Sequence, residues 1–377
     1  MKRIFKCIVP LLCLSLLCGC GGGGIYSNYR ELDELIIIQT MGFDATDGGY
    51  AVSVSSGSTE SEKIIRMTAA GNSITEAERL MQDYSAQEEI FYSHVNYIVL
   101  GESAAENRLT HCLDFIRRSP QMRPDTPLFV VEDDTAAKLI LGAGNEDYDA
   151  TDVLKSLERN LERRGDCIVF SAKEVISDMD RNGSALVCAV KTAKAGNSLH
   201  DAGDALTALP AGYAVIKDGR MVGQISYTDA LAVNLLKNKS GPSRITLRTA
   251  GESITVQLEN CKSKLEPVLQ NGRLSGLRVD MDISASLPEF GGDLDIKKAE
   301  AVLKSTVKSR VENVLTLEKL MTCDFMQLGG ILETHHPVSM AGMGQDFQSY
   351  LPDVYYIINI RAEINRSYDT DKTEDKI

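Results

Sequence analysis

The sequence lacks tryptophan altogether and holds only five histidines in 377 residues. It has no HExxH pair for a catalytic zinc and no GxxxxGK[ST] loop for a nucleotide phosphate. Past residue 20 five cysteines remain, Cys112, Cys167, Cys188, Cys261 and Cys323, and none is spaced as CxxC. That scatter excludes a disulfide framework and a structural zinc; it reads as small apolar core residues, with one bridged pair left open. Cations are short as well: 40 Lys and Arg against 53 Asp and Glu give a net charge of −13. Nucleic-acid binding draws on clustered cations, so no nucleic-acid partner is expected. Beyond the first twenty residues no stretch approaches the ~18 consecutive apolar residues of a membrane-spanning helix.

What the chain does have begins at its N-terminus. Lys2, Arg3 and Lys6 precede an apolar run from Ile8 to Cys18, the layout of an export signal and too short to span a bilayer. Leu17-Cys18-Gly19-Cys20 resembles a bacterial lipobox, in which the final cysteine receives a diacylglycerol before cleavage on its N-terminal side. Residues 1–19 are then the signal peptide and Cys20 the lipidated first residue, with a Gly-rich tether through residue 29. Two acyl chains anchor stably where one does not, at about 0.8 kcal/mol per buried methylene. The expected attachment is to a membrane surface through lipid, on the extracytoplasmic side.

The remaining length suggests two or three domains. Ile36-Ile37-Ile38 reads as a strand, and Asp47-Gly48-Gly49 turns the chain into the alternating run Tyr50 to Ser55, an opening hairpin. Ser73-Ile74-Thr75-Glu76 is a capping box ahead of a helix striped by Ala77, Leu80, Met81 and Tyr84. Asn96 to Leu100 predicts a strand, followed by a helix that Ser103 would cap; Leu128 to Val131 predicts another strand. A helix spans about Asp152 to Arg164, its charged side solvated. From Lys194 to Leu206 periodicity disappears, and the boundary between halves is placed near residue 200. The N-terminal domain is 30–195 and the C-terminal domain 206–365, with a polar tail at 366–377.

The second half opens with runs joined by Asp218-Gly219, and Asn271-Gly272 repeats that hairpin signal. Apolar residues alternate from Leu277 to Leu287 and again from Val354 to Ile364. Between them Leu303, Val307, Val311 and Val314 stripe a long helix, with Asp293 and Asp295 at its start. The fold class expected is α+β: antiparallel sheets with packed helices, the C-terminal domain a twisted antiparallel sheet with one long helix.

Candidate chemistry is sparse. Gly101-Glu102-Ser103-Ala104-Ala105 sits where a nucleophile elbow would, but the motif's final glycine is missing and Ser103-x-x-Glu106 reads as a cap. His335-His336 are adjacent, so on a strand or loop they point apart, and with Pro337 following they read as a turn. His94 and His111 are singletons, and Asp280 and Asp282 lie on a strand's polar face. No catalytic residue and no metal ligand is assigned, and no cofactor is expected.

Several landmarks together resemble the Ger(x)C family, the lipoprotein C subunits of nutrient germinant receptors in endospore formers. They are the lipobox, Arg30-Glu31-Leu32-Asp33-Glu34-Leu35 leading to Met41-Gly42-Phe43-Asp44, Ser93-His94, and Asp114-Phe115-Ile116-Arg117-Arg118. In the second half they are the run Gly212 to Gly223 and Cys323-Asp324-Phe325-Met326-Gln327-Leu328-Gly329-Gly330. The four glycines after Cys20 and the absence of tryptophan depart from the family's usual pattern. The resemblance implies a non-enzymatic subunit at the spore inner membrane, with integral-membrane A and B subunits as partners. A solute-binding lipoprotein is the alternative, expected to show two α/β lobes around a cleft; a membrane-attached hydrolase would rest on Ser103.

Overall fold

The computed structural model describes residues 34–57, 63–85, 88–144, 149–195, 205–249, 252–288 and 295–365. The lipobox, Cys20, the glycine tether, most of the expected linker, Asp293 and the tail from Arg366 lie outside them.

Strands β1 (Leu35–Ile37), β2 (Thr40–Thr46), β3 (Gly49–Ser55) and β4 (Arg66–Gly71) lead into helix α1 (Ile74–Tyr84). The opening hairpin is β2 with β3; Ile36 and Ile37 instead pair in parallel with β5 (Glu89–Phe91). Ser73 caps α1 by accepting the Glu76 N–H, as the capping box predicts, while the Glu76 carboxylate takes the Asn72 N–H. Next come β6 (Tyr97–Gly101), α2 (Glu102–Asn107), α3 (Leu109–Arg118), β7 (Leu128–Val131), α4 (Ala136–Gly142), α5 (Ala150–Arg164) and α6 (Ala172–Asn182). Ser103 does not cap: α2 starts one residue earlier, and Gly101 stands at the cap position without a side-chain bond. Asp44, buried beneath this turn, instead accepts the N–H groups of Ala136 and Ala137 and so holds the start of α4.

β8 (Ser184–Lys194), β9 (Leu206–Lys217) and β10 (Arg220–Ser226) complete an eight-stranded sheet of order β10-β9-β8-β7-β6-β2-β3-β4. Hydrogen bonds therefore run across the stretch near residue 200, because β9 pairs antiparallel with β8. Three neighbouring pairs at the centre, β2 with β6, β6 with β7 and β7 with β8, are parallel. The short helices that cross between them supply these connections, and the central strands are buried on both faces, as parallel strands require.

α7 (Tyr227–Leu236), buried along most of its length, connects to the second sheet, β11 (Arg244–Thr249), β12 (Glu252–Gln270), β13 (Arg273–Ser286) and, after an interval, β14 (Tyr355–Asn365). Asp218-Gly219 and Asn271-Gly272 both adopt positive φ, the conformation a two-residue hairpin turn needs. The long helix α8 (Ile296–Met321) covers the apolar face of this sheet, capped by Asp295. β11 to β13 are antiparallel as expected; β14 pairs parallel with β13, since α8 carries the chain back to the sheet's starting end. Between α8 and β14 lie α9 (Leu328–His335), α10 (Pro337–Met343) and a 3-10 stretch, Gly344–Asp353. The α+β class holds, with mixed strand directions in both sheets.

Candidate functional site

The two halves meet around the segment Cys323 to Gln327, which links α8 to α9. Thr322 and Gln327, at its ends, both take left-handed φ, of 49° and 63°. Such conformations cost non-glycine residues of order 1 kcal/mol or more, so the surroundings must hold them. The holding group is Asp324, fully buried. Its carboxylate accepts the N–H groups of Leu328 at 2.6 Å and Gly329 at 2.8 Å, capping α9 from three residues ahead of the first turn's cap position.

From the other half, Asn182 at the end of α6 donates through Nδ2 to Asp324 Oδ2 at 3.1 Å and to Gln327 Oε1 at 2.7 Å. Gln327 donates onward to the Ser184 carbonyl, and Gln348 bridges the same halves by donating to the Asn182 carbonyl while accepting the Asp324 N–H. Gly329 is needed here, because a Cβ would press on the Phe347 ring at 2.9 Å and on Asn182 Oδ1 at 3.1 Å.

A second carboxyl, Glu318, is also fully buried in the last turn of α8. Oε1 accepts the Met326 N–H at 3.1 Å; Oε2 has no partner, nor has Asn182 Oδ1. Burial, and then the adjacent Asp324 charge, push the Glu318 carboxyl well above the usual carboxylate range. Burial raises Asp324 too, opposed by the amides of Gly329 and Leu328. Burial and mutual repulsion both act against two charges in so dry a place, which favours a proton on the pair. The three N–H donors to Asp324 support its negative charge and so favour Glu318 as the protonated partner. Lys237 lies close enough to favour that single charge, and burial lowers its own pKa.

An open cleft of about 960 Å³ faces this junction, between Asp180 and Arg181 of the first half and Glu333 and Met340 of the second. No group of three His, Cys, Asp or Glu suited to a metal occurs among the described residues. The five cysteines are free thiols, four of them buried; burial pushes Cys323 up to about 11, which leaves it protonated and inert. Ser103 lies within α2 with its carbonyl accepting from Asn107. His111 Nδ1 meets the Tyr50 hydroxyl at 2.5 Å, the His94 ring lies tilted beside Phe91, and His335 ends α9 with His336 between it and α10. Asp280 pairs with Asn359 and Asp282 with Arg361 on the sheet's outer face. The structure thus brings together none of the singled-out groups. It assembles Asn182, Glu318 and Gln348, which were not singled out, around Asp324. Glu318 had a signal: it continues the spacing of Val307, Val311 and Val314, a carboxyl on an apolar stripe.

Family models match both halves in order. The spore germination protein N-terminal domain matches residues 28–192 and the spore germination B3/GerAC-like C-terminal domain residues 211–368. The chain belongs to the GerAC-like spore germination family. Among family relatives it is similar to spore germination protein B3 of Bacillus subtilis (strain 168), 24% identical over 288 residues, 72% of each chain. Its fold is similar to the crystal structure of the GerBC protein, with a TM-score of 0.56 at 17% identity, covering 86% of this chain and 96% of that one. The family's two domain models part between residues 192 and 211, whereas the eight-stranded sheet spans that interval, so the first two strands of the C-terminal family domain complete the N-terminal sheet. The Cys323 to Gly330 run falls within the matched C-terminal domain and comprises the junction segment and the first residues of α9.

Proposed function

We propose that this protein is a non-enzymatic lipoprotein subunit of a nutrient germinant receptor, held at the spore inner membrane by a diacylated Cys20. The observation that carries the reading is the ordered match of both germination-family domains across nearly the whole chain. The junction chemistry supports it: Asp324 and Glu318 are spent on holding two halves together and are sealed from solvent, so neither can act on a substrate. Two integral-membrane subunits, A and B, are the partners, and no helix among the described residues is long and apolar enough to cross a membrane itself. Lipid attachment confines the chain beside those partners and raises its effective concentration there, which favours assembly without further contacts.

The test is genetic. Spores lacking this chain lose their response to at least one nutrient germinant, and the wild-type chain restores it. A Cys20→Ala chain restores it poorly, with little of the protein in the spore inner-membrane fraction. Normal germination of the deletion strain on every nutrient tested would sink the reading.

A further inference from the structure

β14 is the outermost strand of the four-stranded sheet and pairs, among the described residues, with β13 alone. Ile364 donates its N–H to Glu300 Oε1 at 3.0 Å, so its backbone faces away from β13. In a parallel ladder the residues that bond to a given neighbour alternate. Tyr356, Ile358, Ile360 and Ala362 therefore present their backbone groups on that same open side. At Ile364 a side-chain carboxylate already sits where an incoming strand would place an acceptor.

Helix α8 runs antiparallel alongside this strand. Its Glu300 meets Ile364 at one end, and its Leu315 carbonyl accepts the Tyr356 hydroxyl at 2.8 Å at the other. At about 100° per residue, Lys297, Lys304, Lys308 and Leu315 share one strip of the helix, so the lysines follow the strand. All three are exposed. Lys308 reaches Glu312 only at 3.8 Å, and among the described residues no ion pair holds Lys297 or Lys304. Arg361 stands on the opposite face of β14 with its side chain 87% exposed. The cations beside this edge therefore lie along α8, while on the opposite face Arg361 is matched by Asp282 at 3.6 Å and exposed Glu363 lies two residues on.

We propose that the free edge of β14 binds an extended acidic segment of a partner protein by strand addition. Backbone groups would complete the ladder, and carboxylates on the face toward α8 would meet its lysines. The surface follows from the fold and does not depend on the lipid anchor. Lysines beside an edge also deter aggregation, so the test must distinguish attraction from mere protection.

The chain from residue 20 onward, carrying Cys20→Ser, is titrated with an alternating Val-Asp decapeptide, with a Val-Lys decapeptide and an N-methylated Val-Asp decapeptide as controls. The proposal expects only the unmodified acidic peptide to bind and to slow hydrogen exchange at Tyr356, Ile358, Ile360 and Ala362. Replacing Lys297, Lys304 and Lys308 by Glu should weaken binding by about tenfold or more with unchanged thermal unfolding. Equal binding of the Val-Lys peptide, or unchanged affinity in the triple variant, overturns the proposal. So does protection of those amides without peptide that is lost on dilution or on removing residues 366–377, since the occupant is then a second copy or the chain's own tail.

Discussion

Asn182 and Asp324 lie 142 residues apart in sequence and 3.1 Å apart across the junction of the two halves, the amide donating to a fully buried carboxylate. That one bond joins the C-terminus of α6 to the N-terminus of α9 and helps hold a loop with left-handed residues at both ends.

Asp324→Ala should be among the most destabilising single changes in the chain, by about 3 kcal/mol, because it leaves two helix amides without their acceptor and removes one of the two acceptors of Asn182 Nδ2. Urea unfolding measures it. Combined with Asn182→Ala, the losses should fall short of additive by about 1 kcal/mol or more, the mark of a shared bond.

Glu318 predicts a pH dependence whose sign is opposite to that of an ordinary surface carboxylate. Its folded pKa lies above its unfolded value, so the folded state binds the extra proton. The stabilisation is complete below the usual glutamate range and is lost as pH rises through the folded value. Glu78, pushed up to about 7 by burial, acts in the same direction. Urea midpoints should therefore fall between pH 5 and pH 9, and Glu318→Gln, which keeps the shape and a permanent donor, should flatten that decline. A midpoint that rises over this range would show Glu318 to be ionised in the fold.

Thr322 closes α8 at a φ of 49°, a conformation that suits glycine. Thr322→Gly should raise stability by about 0.5 kcal/mol, with relief of strain outweighing the added freedom of the unfolded chain. Thermal unfolding reads it.

Gly276 supports the outer face of the second sheet, where the Tyr355 ring from β14 lies over the place a Cβ would occupy, 2.6 Å from Cζ. Gly276→Val should displace that ring and destabilise the β13–β14 pairing by about 1–3 kcal/mol. Gly272, with open space around it, should tolerate alanine sterically and lose stability only through its positive φ of 76°.

Much of the fold was legible because it is written in local rules. The alternating run at Leu277 to Leu287, the stripe from Leu303 to Val314 and the two hairpin dipeptides depend on near neighbours, and each produced the element expected. Strand partners are set by distant segments, and there the reading fell short. Ile36 to Ile38 looked like half of a hairpin, yet β1 pairs with β5 more than fifty residues away, and β9 joins a sheet begun in the other half. Ser103 illustrates a different failure: the helix begins at Glu102, with Gly101 at the cap position, where a Cβ would collide with the Asp44 carboxylate. For the junction, Asp324 was visible only as part of a family landmark. Nothing local to Asn182 reveals a partner 142 residues away, whereas Glu318 on an apolar stripe was a readable anomaly.

The most direct test of the proposed subunit role is what co-purifies with the chain. Pull-down of the native chain from detergent-solubilised spore inner membrane, beside a Cys20→Ala version, should recover two multi-span proteins with the native form and deplete both with the variant. Recovery of the native chain from that membrane with no multi-span partner would contradict the subunit reading.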